Sequence, residues 1–194
     1  MIVPRTLPLK RNEDKATEFK NKFQELYEKK EVWFYDESGF ACDMKPRRQW
    51  AKKGSKPISY YLGNHVRCNL LGAVCPSNGE LETLLMPYTD AAIFQIFLDH
   101  MNKVTNHKRI VLIMDNASWH KTKSLNWHNI IPVYLPPYSP DLNPIEELWR
   151  VIKDTICYIC PPKNYYELCD SLQEILQPFF KDKNRIKSIC KINY

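Results

Sequence analysis

Along this chain the apolar positions change period several times, and each change marks a predicted element. Phe19, Phe23 and Leu26 recur at i, i+4 and i+7 within residues 13–29, which predicts an amphipathic helix. The stretch "EVWFYDES" (31–38) is aromatic and β-branched and meets Gly39, so it predicts a strand ending at or near Asp36. "VRCNLLGAVC" and "ELETLLMPY" flank "PSNG", the signature of a hairpin. Residues 89–104 open on Thr89 as a cap and repeat apolar side chains at Ile93, Ile96, Phe97 and Met101, again a helix. Ile110 to Met114 is wholly apolar, as a strand buried on both faces would be, and it stops at Asp115. "NIIPVYLP" predicts another short strand, and "NYYELCDSLQEILQPFF" a last helix. Early strands followed by strands alternating with helices predict an α/β domain with a mixed central sheet flanked by helices.

Between the last strand and the next helix lies "YLPPYSPDLNPIEELW", Tyr134 to Trp149. A residue before proline is pushed away from helical angles, so Asn143 is the expected N-cap and Pro144 the first helical residue. Glu146 then falls at the position where a capping box places its glutamate, and capping competes with chemistry as its role. Ile145, Leu148, Trp149, Ile152, Ile156 and Ile159 form one apolar stripe. Glu146 lies roughly 110° from the centre of that stripe and Glu147 roughly 150°. Glu146 therefore belongs at the edge of the core, Glu147 in water near Arg150, and Trp149 inside.

Composition narrows the class. With 194 residues, 44% hydrophobic, the chain can bury one substantial core, and no stretch approaches the apolar length of a membrane helix. The expected location is cytoplasmic, without a membrane partner. Seven cysteines, an odd number scattered through core-like segments, read as reduced thiols, the Cys157–Cys160 pair included. The formal charge of +6 favours an anionic partner. "KPRRQWAKKGSK" concentrates that charge; Lys45, Arg47, Arg48, Lys52 and Lys53 around Trp50 suit a phosphate backbone, and a solvated hairpin accounts for the segment equally well. The C-terminal "KDKNRIKSICK" reads instead as solvated surface.

Asp36 and Asp115 each terminate an apolar strand, where functional groups gather in open α/β sheets. Glu146 starts a helix. Two strand-end carboxylates and one helix-start carboxylate match the oxygen ligands that magnesium prefers.

Taken together, "DES" at Asp36, "MDNASWH" at Asp115 and "LPPYSPDLNPIEELW" around Glu146 resemble the mariner superfamily of DDE transposases, especially its bacterial insertion-sequence branch. The resemblance runs from about residue 31 to about residue 155. It implies a ribonuclease H-like fold, with residues 31–194 as the catalytic domain and 1–30 as an N-terminal helical segment. It implies catalytic and metal-binding roles for Asp36, Asp115 and Glu146 around two Mg²⁺ or Mn²⁺ ions, with Asn116 and His120 as candidates to orient DNA or water and a structural place as the competing reading of His120. It further implies cleavage at transposon ends, strand transfer into target DNA, a homodimer when active, and a place at the bacterial nucleoid.

Two features depart from the family pattern. Only 30 residues separate Asp115 from Glu146, and the helix-turn-helix region that reads transposon ends is missing ahead of the first strand. The second departure suggests a truncated copy, or the second reading frame of an element joined by frameshifting. It also keeps open a non-catalytic remnant that binds DNA or partner subunits, and a nuclease that cuts without strand transfer.

Overall fold

Glu13–Lys29 forms α1, with Asn12 accepting the Lys15 backbone N–H at 3.0 Å as N-cap, and it buries Ala16, Phe19 and Phe23 along one side. The computed structural model describes residues 8–42, 52–56, 58, 66–156 and 162–194. Val32–Ala41 (β1), Arg67–Cys75 (β2) and Glu80–Met86 (β3) make an antiparallel meander. Ala91–Val104 (α2) crosses to Ile110–Met114 (β4), and Ile130–Tyr134 (β5) follows. The sheet order is β3-β2-β1-β4-β5, with β4 parallel to both β1 and β5. Ile145–Ile156 (α3), Tyr165–Lys181 (α4) and Lys183–Ile189 (α5) complete the chain.

Strand periodicity divides the core. Val32, Phe34 and Phe40 of β1 pack with α1, α3 and α4, whereas Trp33 and Tyr35 pack with Phe94, Phe97 and Met101 of α2. The five residues of β4 are buried on both faces, as their uninterrupted apolar run required. In the β2–β3 hairpin Gly79 has φ 77°, and a Cβ there would come 2.2 Å from the Lys183 carbonyl, so no other residue fits the turn. Among the described residues Cys42, Cys68, Cys75, Cys169 and Cys190 form no disulfide, while Cys157 and Cys160 lie outside the described residues. No helix among the described residues is long and apolar enough to cross a membrane.

The structure corrects three local expectations. β1 does not stop near Asp36 but runs through Gly39 to Ala41, because its antiparallel ladder with β2 continues from Asp36↔Gly72 to Ala41↔Arg67. The parallel pairing with β4 does end early, at Phe34↔Ile113, so Asp36 still marks the open end of that side. α2 is capped by Asp90, whose carboxylate accepts the Ile93 N–H at 2.8 Å, rather than by Thr89. The basic C-terminal run is partly structural: α5 buries Ile186 and the following Cys190 while its lysines stay in water.

Candidate active site

Alternation along β1 sends two neighbouring carboxylates to opposite faces of the sheet. Asp36 shares the face of Phe34 and meets α3, where the Trp149 indole Nε1 donates to Asp36 Oδ2 at 3.0 Å. Glu37 shares the face of Tyr35, whose hydroxyl donates to Glu37 Oε1 at 2.9 Å.

The start of α3 is fixed by the strand rather than by a cap. Asn143 is buried and its Nδ2 donates to the Tyr35 carbonyl at 3.0 Å, which ties the Pro140–Leu142 turn to β1. The expected N-cap role is therefore not realised by its side chain, and the regular helix begins one residue late, at Ile145. The Glu146 backbone N–H bonds instead to the Asn143 carbonyl at 3.2 Å. Glu146 is thereby carried to the wall of a cleft of about 470 Å³ whose lining includes Asp36, Asp115, Asn116, Pro137 and Tyr138. Glu147 turns to solvent and pairs with Arg150 at 2.9 Å, as its place on the helix suggested.

Charge in the cleft is out of balance. Burial, then repulsion from Glu146 and Glu37, pushes the Asp36 carboxyl up to about 8, against the opposing hydrogen bond from Trp149. Glu146 is raised as well, by burial first and by Glu147 and Asp115, although Lys153 works the other way. Asp115 is lowered, because the His120 ring 2.9 Å away favours its charge more than burial opposes it.

Of the two readings open for His120, orienting DNA or water and a structural place, its full burial fits the structural one. Its Nδ1 lies 2.9 Å from Asp115 Oδ1 and its Nε2 lies 2.9 Å from Glu37 Oε1. Burial alone would discharge the ring, yet Asp115 and Glu37 outweigh it and hold the imidazole up to about 9. The same Glu37 oxygen accepts Trp119 Nε1 at 3.1 Å, and Tyr134 donates its hydroxyl to the His120 carbonyl at 2.9 Å. Glu37 was not singled out by sequence reasoning, and its only signal was adjacency to Asp36 in "DES".

Asn116 lines the cleft, donates to the Leu135 carbonyl and accepts from Lys121 Nζ at 2.6 Å. Lys52 and Lys53 are exposed, whereas Lys45, Arg47, Arg48 and Trp50 lie outside the described residues. Among the described residues no three His, Cys, Asp or Glu side chains already close on one point as a metal site. The donor set nevertheless fits a hard divalent cation: three carboxylates line one cleft, and the burial and carboxylate crowding that raise Asp36 are what added positive charge would offset.

Residues 31–169 match the family described as DDE superfamily endonuclease. The chain is 40% identical over 87 residues to protein y4pE/y4sA of Sinorhizobium fredii, covering 44% of this chain and 64% of that protein. It is 26% identical over 152 residues to the 39 kDa protein of insertion element IS630 of Shigella sonnei, covering 75% of this chain and 42% of that one. The chain thus spans less than two thirds of the length of either relative. Among solved structures, the Mos1 mariner paired end complex with Mn superposes with a TM-score of 0.68 at 18% identity, over 98% of this chain and 64% of that one. That likeness bears out the ribonuclease H-like fold with its mixed sheet flanked by helices.

Proposed function

Since the chain belongs to the DDE superfamily endonucleases, we propose that its cleft cuts DNA at transposon ends and joins the freed 3′ hydroxyl to target DNA, using Asp36, Asp115 and Glu146 to hold two Mg²⁺ or Mn²⁺ ions. The observation that carries this reading is that Asp36, Asp115 and Glu146 line one cleft, where burial first and Glu146 second raise the Asp36 carboxyl. Membership of an endonuclease family and the insertion-element relative support it further.

Held by Asp36, Asp115 and Glu146, a metal pair would supply activation of an attacking oxygen and stabilisation of the leaving one in a phosphodiester displacement. The protein's own part is to gather the ligands. β1 presents Asp36 beyond the last β4 pairing, β4 ends at Met114 and hands on directly to Asp115, and the Asn143 bond to Tyr35 sets where α3 delivers Glu146. Glu37 and the buried His120 hold Asp115 in place from below. The exposed Lys52 and Lys53 belong to the basic segment that would meet the DNA backbone. The Mos1 relative is a paired end complex, and bringing two ends together calls for two copies, so the active form is a homodimer.

The deciding experiment supplies a pre-cut duplex with a free 3′ hydroxyl and a supercoiled target plasmid in Mn²⁺. Wild type should nick the plasmid and join the duplex to it, and Asp115→Asn should lose both while retaining DNA. Nicking without joining would leave a nuclease. Undiminished nicking by Asp115→Asn would remove Asp115 from the site, and DNA retention with no chemistry at all would leave a binding remnant.

A further inference from the structure

Trp149 occupies space that a side chain on the sheet would fill. Gly72 stands directly across the β1–β2 ladder from Asp36, on the face that α3 covers. A Cβ at Gly72 would lie 2.5 Å from Trp149 Cη2 and 3.0 Å from its Cζ2. The missing side chain therefore opens a slot for the six-membered ring of the indole, and the seated ring aims Nε1 at Asp36 Oδ2, 3.0 Å away. Only 1% of Trp149 is exposed, so water has no ready access to replace that bond.

The choice of donor matters. An indole offers one N–H and no acceptor, so it fixes a carboxylate oxygen in one direction and has no lone pair with which to ligate a metal. It is also neutral. A lysine or arginine in the same place would add positive charge beside the carboxylates and compete with a metal for them. A neutral, single, buried donor orients a carboxylate while leaving its charge for a cation.

We infer that Gly72 and Trp149 form a positioning pair for Asp36: the glycine makes room, and the indole pins one carboxylate oxygen so that Asp36 meets a divalent cation in a fixed orientation. This rests on the reading of Asp36 as a metal ligand.

The test is Mn²⁺ binding by electron paramagnetic resonance on the whole chain, comparing wild type, Trp149→Phe, Gly72→Ala and the double variant, each checked for folding by circular dichroism. Removing an outer partner of a metal ligand weakens affinity about 10–100-fold, and each single variant should fall in that range. The double variant should be no weaker than the worse single one, because phenylalanine lacks the ring atoms that a Cβ at position 72 would strike. A purely structural role would lower the unfolding midpoint and leave the affinity of the folded protein unchanged. A folded Trp149→Phe with wild-type affinity therefore overturns the pair. Should the variants not fold, the assigned Trp149 indole N–H resonance of wild type decides: it should shift as Mg²⁺ saturates the site, and an unmoved resonance overturns the inference. Wild type that binds no Mn²⁺ removes the metal reading of the cleft and this role with it, whereas binding by wild type and Trp149→Phe alike removes only the positioning pair.

Discussion

Glu37 Oε1 lies 2.9 Å from Nε2 of the fully buried His120, across 83 residues of sequence, and the same oxygen also accepts from Tyr35 and Trp119. Three donors on one carboxylate oxygen make that carboxylate hard to remove. Glu37→Ala orphans them and strips a buried, charged ring of a counter-ion, at a cost of about 2–4 kcal/mol. Glu37→Gln keeps an acceptor and should cost less. Urea unfolding of the two variants checks the order, and equal stability to wild type in Glu37→Ala would show that the contact carries no weight.

The Asp36 carboxyl, raised to about 8 from an ordinary 3.8, makes the metal-free protein sensitive to pH. Between those values the folded state keeps a proton that the unfolded state has lost, so stability falls as pH rises, by at most about 1.4 kcal/mol per pH unit. His120 adds a loss of the same sign, but only between its ordinary 6.5 and about 9. The window from pH 5 to 6.5 therefore excludes His120 and leaves Asp36, with a loss of the same sign from the raised Glu146 carboxyl. In EDTA the wild-type Tm should drop across it, and Asp36→Asn should flatten the drop. Mn²⁺ should stabilise wild type increasingly as pH rises and the carboxylate ionises. An unchanged slope in Asp36→Asn would assign the effect to another group.

Glu146 and Glu147 are adjacent, yet substitutions at the two should behave oppositely. Glu147 only pairs with Arg150 on the surface, so Glu147→Ala should change stability by less than about 0.5 kcal/mol and leave Mn²⁺ affinity alone. Glu146→Gln removes a carboxylate whose charge burial disfavours and which repels Asp36 once that residue ionises, so the metal-free protein should gain Tm while its stabilisation by Mn²⁺ shrinks. Thermal melts with and without Mn²⁺ read both effects at once. A Glu146→Gln variant that Mn²⁺ stabilises as fully as wild type would take Glu146 out of the site.

The carboxylates were legible in the sequence because local patterns place them. Asp115 ends an unbroken apolar run, and Glu146 follows a proline-rich stop at the head of an amphipathic helix. What depends on a distant partner was not legible. Gly39 looks like a breaker, but the ladder to β2 carries β1 past it. Asn143 has the spelling of a cap, yet its side chain is drawn to the Tyr35 carbonyl, 108 residues away in sequence. A helix wheel puts Trp149 in the core, where it is, but cannot show that one edge of a buried ring reaches Asp36. The Glu37–His120 contact is hidden for the same reason, since neither residue's neighbours name the other.

Arg11 offers a last test of how the cleft is held, because it links the segment before α1 to the turn before α3. Its side chain is only 5% exposed and forms ion pairs with Asp141 and, at 2.7 Å, with Glu13. Asp141 lies in the Pro140–Leu142 turn, immediately ahead of the Asn143 tie to β1. A buried guanidinium with two carboxylates is costly to break from one side, and Arg11→Met should cost about 2–4 kcal/mol. Asp141→Asn should cost less, since its amide still accepts from the guanidinium, and the double variant should cost less than the sum of the two. If the pair also steadies the approach to Glu146, Arg11→Met should weaken Mn²⁺ binding while Glu13→Ala, at the exposed partner, should not. Urea unfolding and Mn²⁺ titration of the three single variants separate these effects. Arg11→Met within 0.5 kcal/mol of wild type, the ordinary range for a surface change, would reduce the contact to a surface ion pair and leave Asn143 as the anchor of the turn.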